Sequence, residues 1–159
     1  MDSQEFLRLF EPAQKNVFFL ILSIVRNKDD AEDVFQETAL KACTGFKKLR
    51  DTSRFSAWLS RIAVTTAYDY LKKRRHHLDI DDVAIPYYDT YNESGEQLRR
   101  AMLTLNEEER TIVILKAVNG LPHKEIATIV RRPEGTVRTI YARAVKKLSD
   151  KLTTPGKEG

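Results

Sequence analysis

The densest collection of side chains able to do chemistry lies between residues 124 and 144, in the run KEIATIVRRPEGTVRTIYARA. Its candidate DNA-facing positions are Lys124, Arg131, Arg132, Glu134, Gly135, Thr136, Arg138, Thr139 and Arg143. An arginine can pair with a guanine edge through two parallel donors or clamp a phosphate, and a threonine can meet a base edge or a thymine methyl. The apolar residues of the same run, Ile126, Ala127 and Val130, then Val137, Ile140 and Tyr141, recur at helical spacing and share one core. That register turns Glu134, Thr136, Arg138, Thr139 and Arg143 outward. A short helix, a tight turn and a second helix with a small, polar start is the anatomy of a helix-turn-helix, whose second helix enters the major groove and whose N-terminus attracts phosphate. An ordinary helical hairpin with a solvated basic face would share the same charge pattern.

No catalytic constellation accompanies it. His76 and His77 adjoin a basic run, His123 opens a surface helix, and the single cysteine, Cys43, has no patterned partner. Neither zinc-ligand spacing nor a nucleophile with its base is present, and no glycine-rich loop could cradle a phosphate. The expectation is a non-enzymatic protein with no metal and no cofactor, in which Cys43 is a buried structural thiol. The stretch NVFFLILSIV, residues 16–25, is too short for a membrane span and has no basic region before it. A cytoplasmic protein without membrane insertion is therefore expected.

The elements that must position these residues fall into two blocks. Residues 1–76 hold 14 basic and 10 acidic side chains, residues 77–95 hold five acids and no base, and residues 96–159 hold 13 basic and 8 acidic side chains. The first block reads as three helices. One spans about residues 3–26, with Phe6, Leu9, Phe10, Ala13, Val17, Leu20, Ile21 and Ile24 inward. A second begins at Asp29, with Glu32 completing a capping box, carries Ala31, Val34, Phe35, Thr38, Ala42 and Cys43 inward, and stops at Gly45. Ser53 caps a third, which has Phe55, Trp58, Leu59, Ile62, Ala63, Thr66, Tyr70 and Leu71 on one face and closes on Lys72, Lys73, Arg74 and Arg75.

Between His77 and Ser94 the periodicity ends at a run of acids, three tyrosines and Pro86, an extended linker rather than a loop within one domain. Helices resume with Ser94 and Gln97 as a capping box, and Asn106 caps the next, with Glu107, Glu108 and Glu109 in its first turn and Gly120 as its stop. The last two run from about Pro122 to Val130 and from Glu134 to Leu152, and the tail, residues 153–159, is expected to fray. The fold class expected is all-α, two small helical domains (1–76 and 95–152) joined by an extended acidic linker (77–94). At 159 residues no additional sensing domain is expected.

Three segments in order resemble one family. EGTVRTIYARAVKKL, residues 134–148, with KEIA upstream, resembles the promoter-binding motif of region four in extracytoplasmic-function (ECF) sigma factors. DDAEDVFQETALKA, residues 29–42, resembles the region-two segment that grips the polymerase clamp, and FSAWLSRIAVTTAYDYLKKRR, residues 55–75, resembles the helix that melts and reads the minus-ten element. The resemblance implies region two at 1–76, region four at 95–152, and contact of Asp33, Gln36, Glu37 and Leu40 with core RNA polymerase at its beta-prime clamp helices, with a further contact to the beta flap. It assigns minus-ten DNA to Lys47, Arg54, Arg61, Thr65, Lys72, Lys73, Arg74 and Arg75. Minus-35 DNA falls to the helix-turn-helix residues already named. It also implies an anti-sigma factor as partner, and a path for the linker toward the RNA exit channel, with Asp79, Asp81, Asp82, Asp89 and Glu93 imitating a nucleic-acid backbone.

This chain departs from the family pattern at several points. Thr65 stands where asparagine is frequent, Arg131 where the turn often has glycine, Pro122 and Pro133 at capping positions, and Ile140 and Val145 where arginines are common. Arg131 and Arg132 could supply the missing phosphate contacts. Trp58, at helical spacing, reads as core rather than as a base-stacking platform. The rival reading is a stand-alone helix-turn-helix regulator, which would bind a two-fold operator as a dimer and would have no use for the motifs of residues 29–75.

Overall fold

In a computed structural model residues 3–74 and 93–158 are described, and among them every regular element is helical. The chain divides into two compact units, Met1–Ala84 and Ile85–Gly159. The expected acidic linker lies outside the described residues except at its last two positions, Glu93 and Ser94.

In the first unit α1 (Ser3–Val25), α2 (Lys28–Gly45) and α3 (Phe55–Arg74) pack pairwise on one another. The apolar stripe of α1 is buried at Phe6, Phe10, Val17, Leu20, Ile21 and Ile24, with Leu9 and Ala13 half-buried. Its last turn is buried all round, so Leu22, Ser23 and Val25 join the core, which a one-faced pattern does not foresee. Arg26 then ends the helix in the left-handed region at φ 58, its N–H donating to the Leu22 carbonyl at 2.8 Å.

The cap of α2 is Asn27, not Asp29. Its extended backbone lets its side-chain oxygen accept from the Asp30 N–H at 2.9 Å, while Asp29 and Asp30 fill the first turn, where carboxylates meet the positive end of the helix dipole. Ala31, Val34, Thr38 and Ala42 form the buried stripe and Phe35 is half-buried. Cys43 is exposed, which corrects the expectation of a buried thiol. It lies one residue past Ala42, about 100° round the helix, on a flank whose burial declines from Phe35 and Ala39 to nothing.

Two short 3-10 turns, Phe46–Lys48 and Thr52–Arg54, lead into α3. Asp51, rather than Ser53, is the capping acceptor here: its carboxylate takes the Ser53 hydroxyl at 2.7 Å and the Ser53 N–H at 3.0 Å, and those bonds hold its carboxyl below the usual range. Phe46 and Phe55, at the inner ends of these turns, meet Phe6 edge-on at ring distances of 5.3 and 6.1 Å. This aromatic cluster fixes the start of α3 against α1 and the turn that follows α2.

The second unit holds α4 (Glu93–Met102), α5 (Glu107–Ala117), α6 (His123–Val130) and α7 (Glu134–Glu158), with α7 packed on the other three. α4 begins at Glu93, which places Ser94 inside the helix rather than at its cap. The Asn106 cap is found as expected: Asn106 accepts from the Glu109 N–H at 2.8 Å and Glu109 accepts from the Asn106 N–H at 2.9 Å. Gly120, at φ 72, reverses the chain so that the Leu121 N–H reaches the Leu115 carbonyl at 3.0 Å. α7 continues through Glu158, so the segment expected to fray from residue 153 is helical. Between Thr136 and Thr154 α7 has neither glycine nor proline, and extension from an existing helix needs no new nucleus.

Candidate polymerase and nucleic-acid interfaces

On α2, Asp33, Gln36, Glu37 and Leu40 recur at spacings of three, four and seven and therefore share one face, opposite the buried stripe. All four are exposed, and Leu40 is 68% exposed, the highest fraction among the described large apolar residues. Glu37 reaches Lys41 at 3.1 Å, and the Lys41 ammonium also donates to the Thr66 hydroxyl at 3.2 Å, tying this face to α3.

Beside it, between α2 and α3, opens a cleft of about 470 Å³ lined by Lys41, Gly45, Lys48, Trp58, Arg61, Ile62, Thr65 and Thr66. Arg61 and Thr65, expected at the minus-ten element, meet here. Lys47 and Arg54 are exposed on the two 3-10 turns and are not among the cleft's lining residues, and Lys72 and Lys73 are exposed near the end of α3. Trp58 is half-buried and has two faces of use: it packs on Phe55 at 5.7 Å and Phe46 at 6.4 Å, and it walls the cleft. Sequence reasoning did not place Lys41 in this cleft. The four-residue spacing from Glu37 was its only signal.

Arg74 is committed elsewhere. Its guanidinium lies 2.8 Å from both carboxylate oxygens of Asp30, which also accepts the Tyr70 hydroxyl at 2.6 Å. Burial and the bond to Asp30 push the Tyr70 phenol above its usual value of 10. Arg74 thus joins the end of α3 to the start of α2, which departs from its expected place among phosphate contacts. Arg75 lies outside the described residues.

In the second unit α6, the turn and the start of α7 form the expected helix-turn-helix. Ile126, Ile129, Val137 and Ala144 are buried at its core, with Ala127, Val130, Ile140 and Tyr141 half-buried. Ile129 was missed because it stands beside Val130, the residue that the stripe seemed to require. Lys124, Arg131, Arg132, Gly135, Arg138, Thr139 and Arg143 are exposed, while Glu134 and Thr136 are half-buried. A Cβ on Gly135 would meet nothing within 4 Å, so the start of α7 is open to an approaching backbone. The Thr139 hydroxyl donates back to the Gly135 carbonyl at 3.1 Å, and Arg138 pairs with Glu134 at 2.6 Å. His123 stacks edge-on against Tyr141 at 5.5 Å. Its burial, together with the nearby cations Lys116 and Arg138, holds the imidazole below its usual 6.5, against the opposing pull of Glu134.

Residues 9–77 match the family model described as Sigma-70 region 2, and residues 95–148 match Sigma-70, region 4. The chain is 32% identical over 143 residues to RNA polymerase sigma factor SigV of Bacillus subtilis, covering 88% of this chain and 86% of that one. It is 31% identical over 169 residues to the ECF RNA polymerase sigma-E factor of Escherichia coli, covering 95% and 88%. The chain belongs to the sigma-70 family of RNA polymerase sigma factors, in its extracytoplasmic-function group. As a sigma factor it is a non-catalytic initiation subunit that directs promoter-specific transcription. Its fold is also that of the sigma factor RpoE in a co-crystal with the anti-sigma factor NepR from Bartonella quintana, with a TM-score of 0.78, 24% identity and coverage of 95% of this chain and 98% of that one. CnrH, in complex with the cytosolic domain of CnrY, shares the fold at a TM-score of 0.66, 22% identity and coverage of 96% and 90%. Among the described residues no helix is long and apolar enough to cross a membrane, and no group of three or more potential ligands could hold a metal.

Proposed function

We propose that this sigma factor docks on the beta-prime clamp helices of core RNA polymerase through Asp33, Gln36, Glu37 and Leu40, and reads its promoter with two unlike DNA-binding surfaces. The observation that carries the reading is the α2 face itself: three acceptors around a leucine that is 68% exposed, a surface suited to a basic helical partner. The cleft at Trp58 takes an unstacked base of the melted minus-ten strand, with Arg61, Lys41 and Lys48 toward phosphate and Thr65 toward the base edge. Lys47, Arg54, Lys72 and Lys73 extend that surface. The outer residues of the helix-turn-helix from Lys124 to Arg143, apart from Arg132, whose guanidinium is held by Glu108 at 2.7 Å, bind the minus-35 element as duplex in the major groove.

Region two then corresponds to residues 1–76 and region four to 95–152, with residues 77–94 as connector and the beta flap as region four's contact on the polymerase. Two solved relatives in this fold are bound to an anti-sigma factor or a cytosolic partner domain, which supports an inhibitor of the same kind here. Action on polymerase places the protein in the cytoplasm. Size-exclusion co-elution with core RNA polymerase tests the docking face. Wild type is expected to co-elute in a one-to-one complex and a Asp33→Arg, Glu37→Arg double variant to elute alone. Failure of wild type to bind, or dimerisation of the free chain on a two-fold operator, would point instead to a stand-alone regulator.

A further inference from the structure

The turn between α6 and α7 presents two adjacent arginines in different circumstances. Arg131 ends α6 in the left-handed region, at φ 60 and ψ 49, with its N–H bonded to the Ala127 carbonyl. Glycine suits that conformation and an L side chain strains it. The Arg131 side chain is exposed and makes no ion pair or hydrogen bond among the described residues. Arg132 is held. Its Nε donates to Glu108 Oε2 at 2.7 Å and its Nη2 to Glu108 Oε1 at 3.2 Å, a two-pronged fork across 24 residues of sequence. Glu108 stands in the first turn of α5 and its side chain is 32% exposed, so this carboxylate is partly shielded from water.

A carboxylate gripped through two parallel N–H donors occupies the place that a phosphate would take on the same guanidinium. We propose that Glu108 withholds Arg132 from DNA, so that the turn offers promoter phosphates one cation, Arg131, instead of two. This rests on the reading of the helix-turn-helix as the duplex-binding surface. Its consequence is a lower sequence-independent affinity of region four, which leaves discrimination to the base contacts of α7 and keeps the factor from binding DNA at large. It also accounts for a left-handed position occupied by arginine: with Arg132 engaged, Arg131 is the turn's remaining contact.

The test is the salt dependence of binding of the full chain to a mixed-sequence duplex DNA, by fluorescence anisotropy. Each phosphate contact contributes about 0.9 to the slope of log affinity against log salt. Arg131→Ala is expected to flatten the slope by about 0.9 and Arg132→Ala to leave it unchanged, while Glu108→Gln, which releases Arg132, steepens it by about 0.9. Flattening by Arg132→Ala in the wild-type background, or no steepening by Glu108→Gln, overturns the proposal. So does an unchanged slope for Arg131→Ala. An Arg138→Ala, Arg143→Ala double variant then separates the two levels: if it flattens the slope, only the role of Glu108 is lost, and if it does not, the helix-turn-helix is not the duplex-binding surface.

Discussion

Asp30 ties the start of α2 to the end of α3, and the stability it contributes follows from its partners. Its side chain is 12% exposed and receives both the Tyr70 hydroxyl at 2.6 Å and the Arg74 guanidinium, itself 31% exposed, at 2.8 Å. Breaking a fully buried pair costs about 3–5 kcal/mol. Arg74 can reach water once released, so the expected loss for Asp30→Ala is lower, about 2–3 kcal/mol including the acid's place in the first turn of α2. Tyr70→Phe removes one bond to the same carboxylate and leaves the ion pair, for a loss of about 1 kcal/mol. In a domain of this size each kcal/mol moves the midpoint by about 4–8 °C, so Asp30→Ala should lower Tm by roughly 10–20 °C and Tyr70→Phe by roughly 4–8 °C. The one tryptophan, Trp58, lies in the first unit, so its fluorescence during a thermal melt reports that unit without the other. Equal shifts for the two variants would refute the reasoning, since the arm to Arg74 would then contribute nothing.

Three further outcomes are expected. The depressed His123 pKa means that the unfolded chain binds the proton more tightly: stability is whole above pH 6.5 and is lost as pH falls through the lower folded value. Calorimetry of the second unit's transition should show this loss, and His123→Phe, which keeps the ring against Tyr141, should abolish it. Thr38 is fully buried with its hydroxyl unpartnered, so Thr38→Val should stabilise by about 1 kcal/mol in denaturant titration; a destabilisation would show that the hydroxyl has a partner. Arg61→Ala should flatten the salt dependence of single-stranded DNA binding by about 0.7, and an unchanged slope would remove Arg61 from the phosphate path.

The helices and the two-block order were legible because amphipathic spacing and caps are local signals. Asn106 with Glu109, Gly120, and the stripe Ala31, Val34, Thr38, Ala42 stand where the sequence puts them. What escaped depended on partners distant in sequence. Nothing within five residues of Arg74 or Arg132 announces Asp30 or Glu108, which lie 44 and 24 positions away, so both arginines read as phosphate contacts. The cap of α2 falls on Asn27 instead of the expected Asp29 because Asn27 is the extended residue, a backbone property that a run of polar residues leaves open. Cys43 reads as buried because a periodic stripe continues on paper after the helix's partners have ended.

The arrangement of charge bears on how a protein with two basic blocks and a net charge of +4 can be selective. Several cations on its candidate DNA surfaces are already engaged: Lys41 with Glu37, Arg74 with Asp30, Arg132 with Glu108 and Arg138 with Glu134. A cation that must leave a carboxylate to reach a phosphate releases no free energy of counterion displacement until that exchange is made, so the count of basic residues overstates the affinity of the free chain. The exchange differs by position. The exposed pairs at Lys41 and Arg138 join residues four apart on one helix, are worth only tenths of a kcal/mol and yield readily, while the fork at Arg132 and the shielded pair at Arg74 resist. Glu37 connects the two functions most directly, because it lies on the face proposed to meet polymerase and also holds Lys41 at the edge of the Trp58 cleft. Under that proposal a basic clamp that engaged Glu37 would leave Lys41 held only by the Thr66 hydroxyl, and docking on polymerase and affinity for the melted strand would rise together through a single shared ion pair.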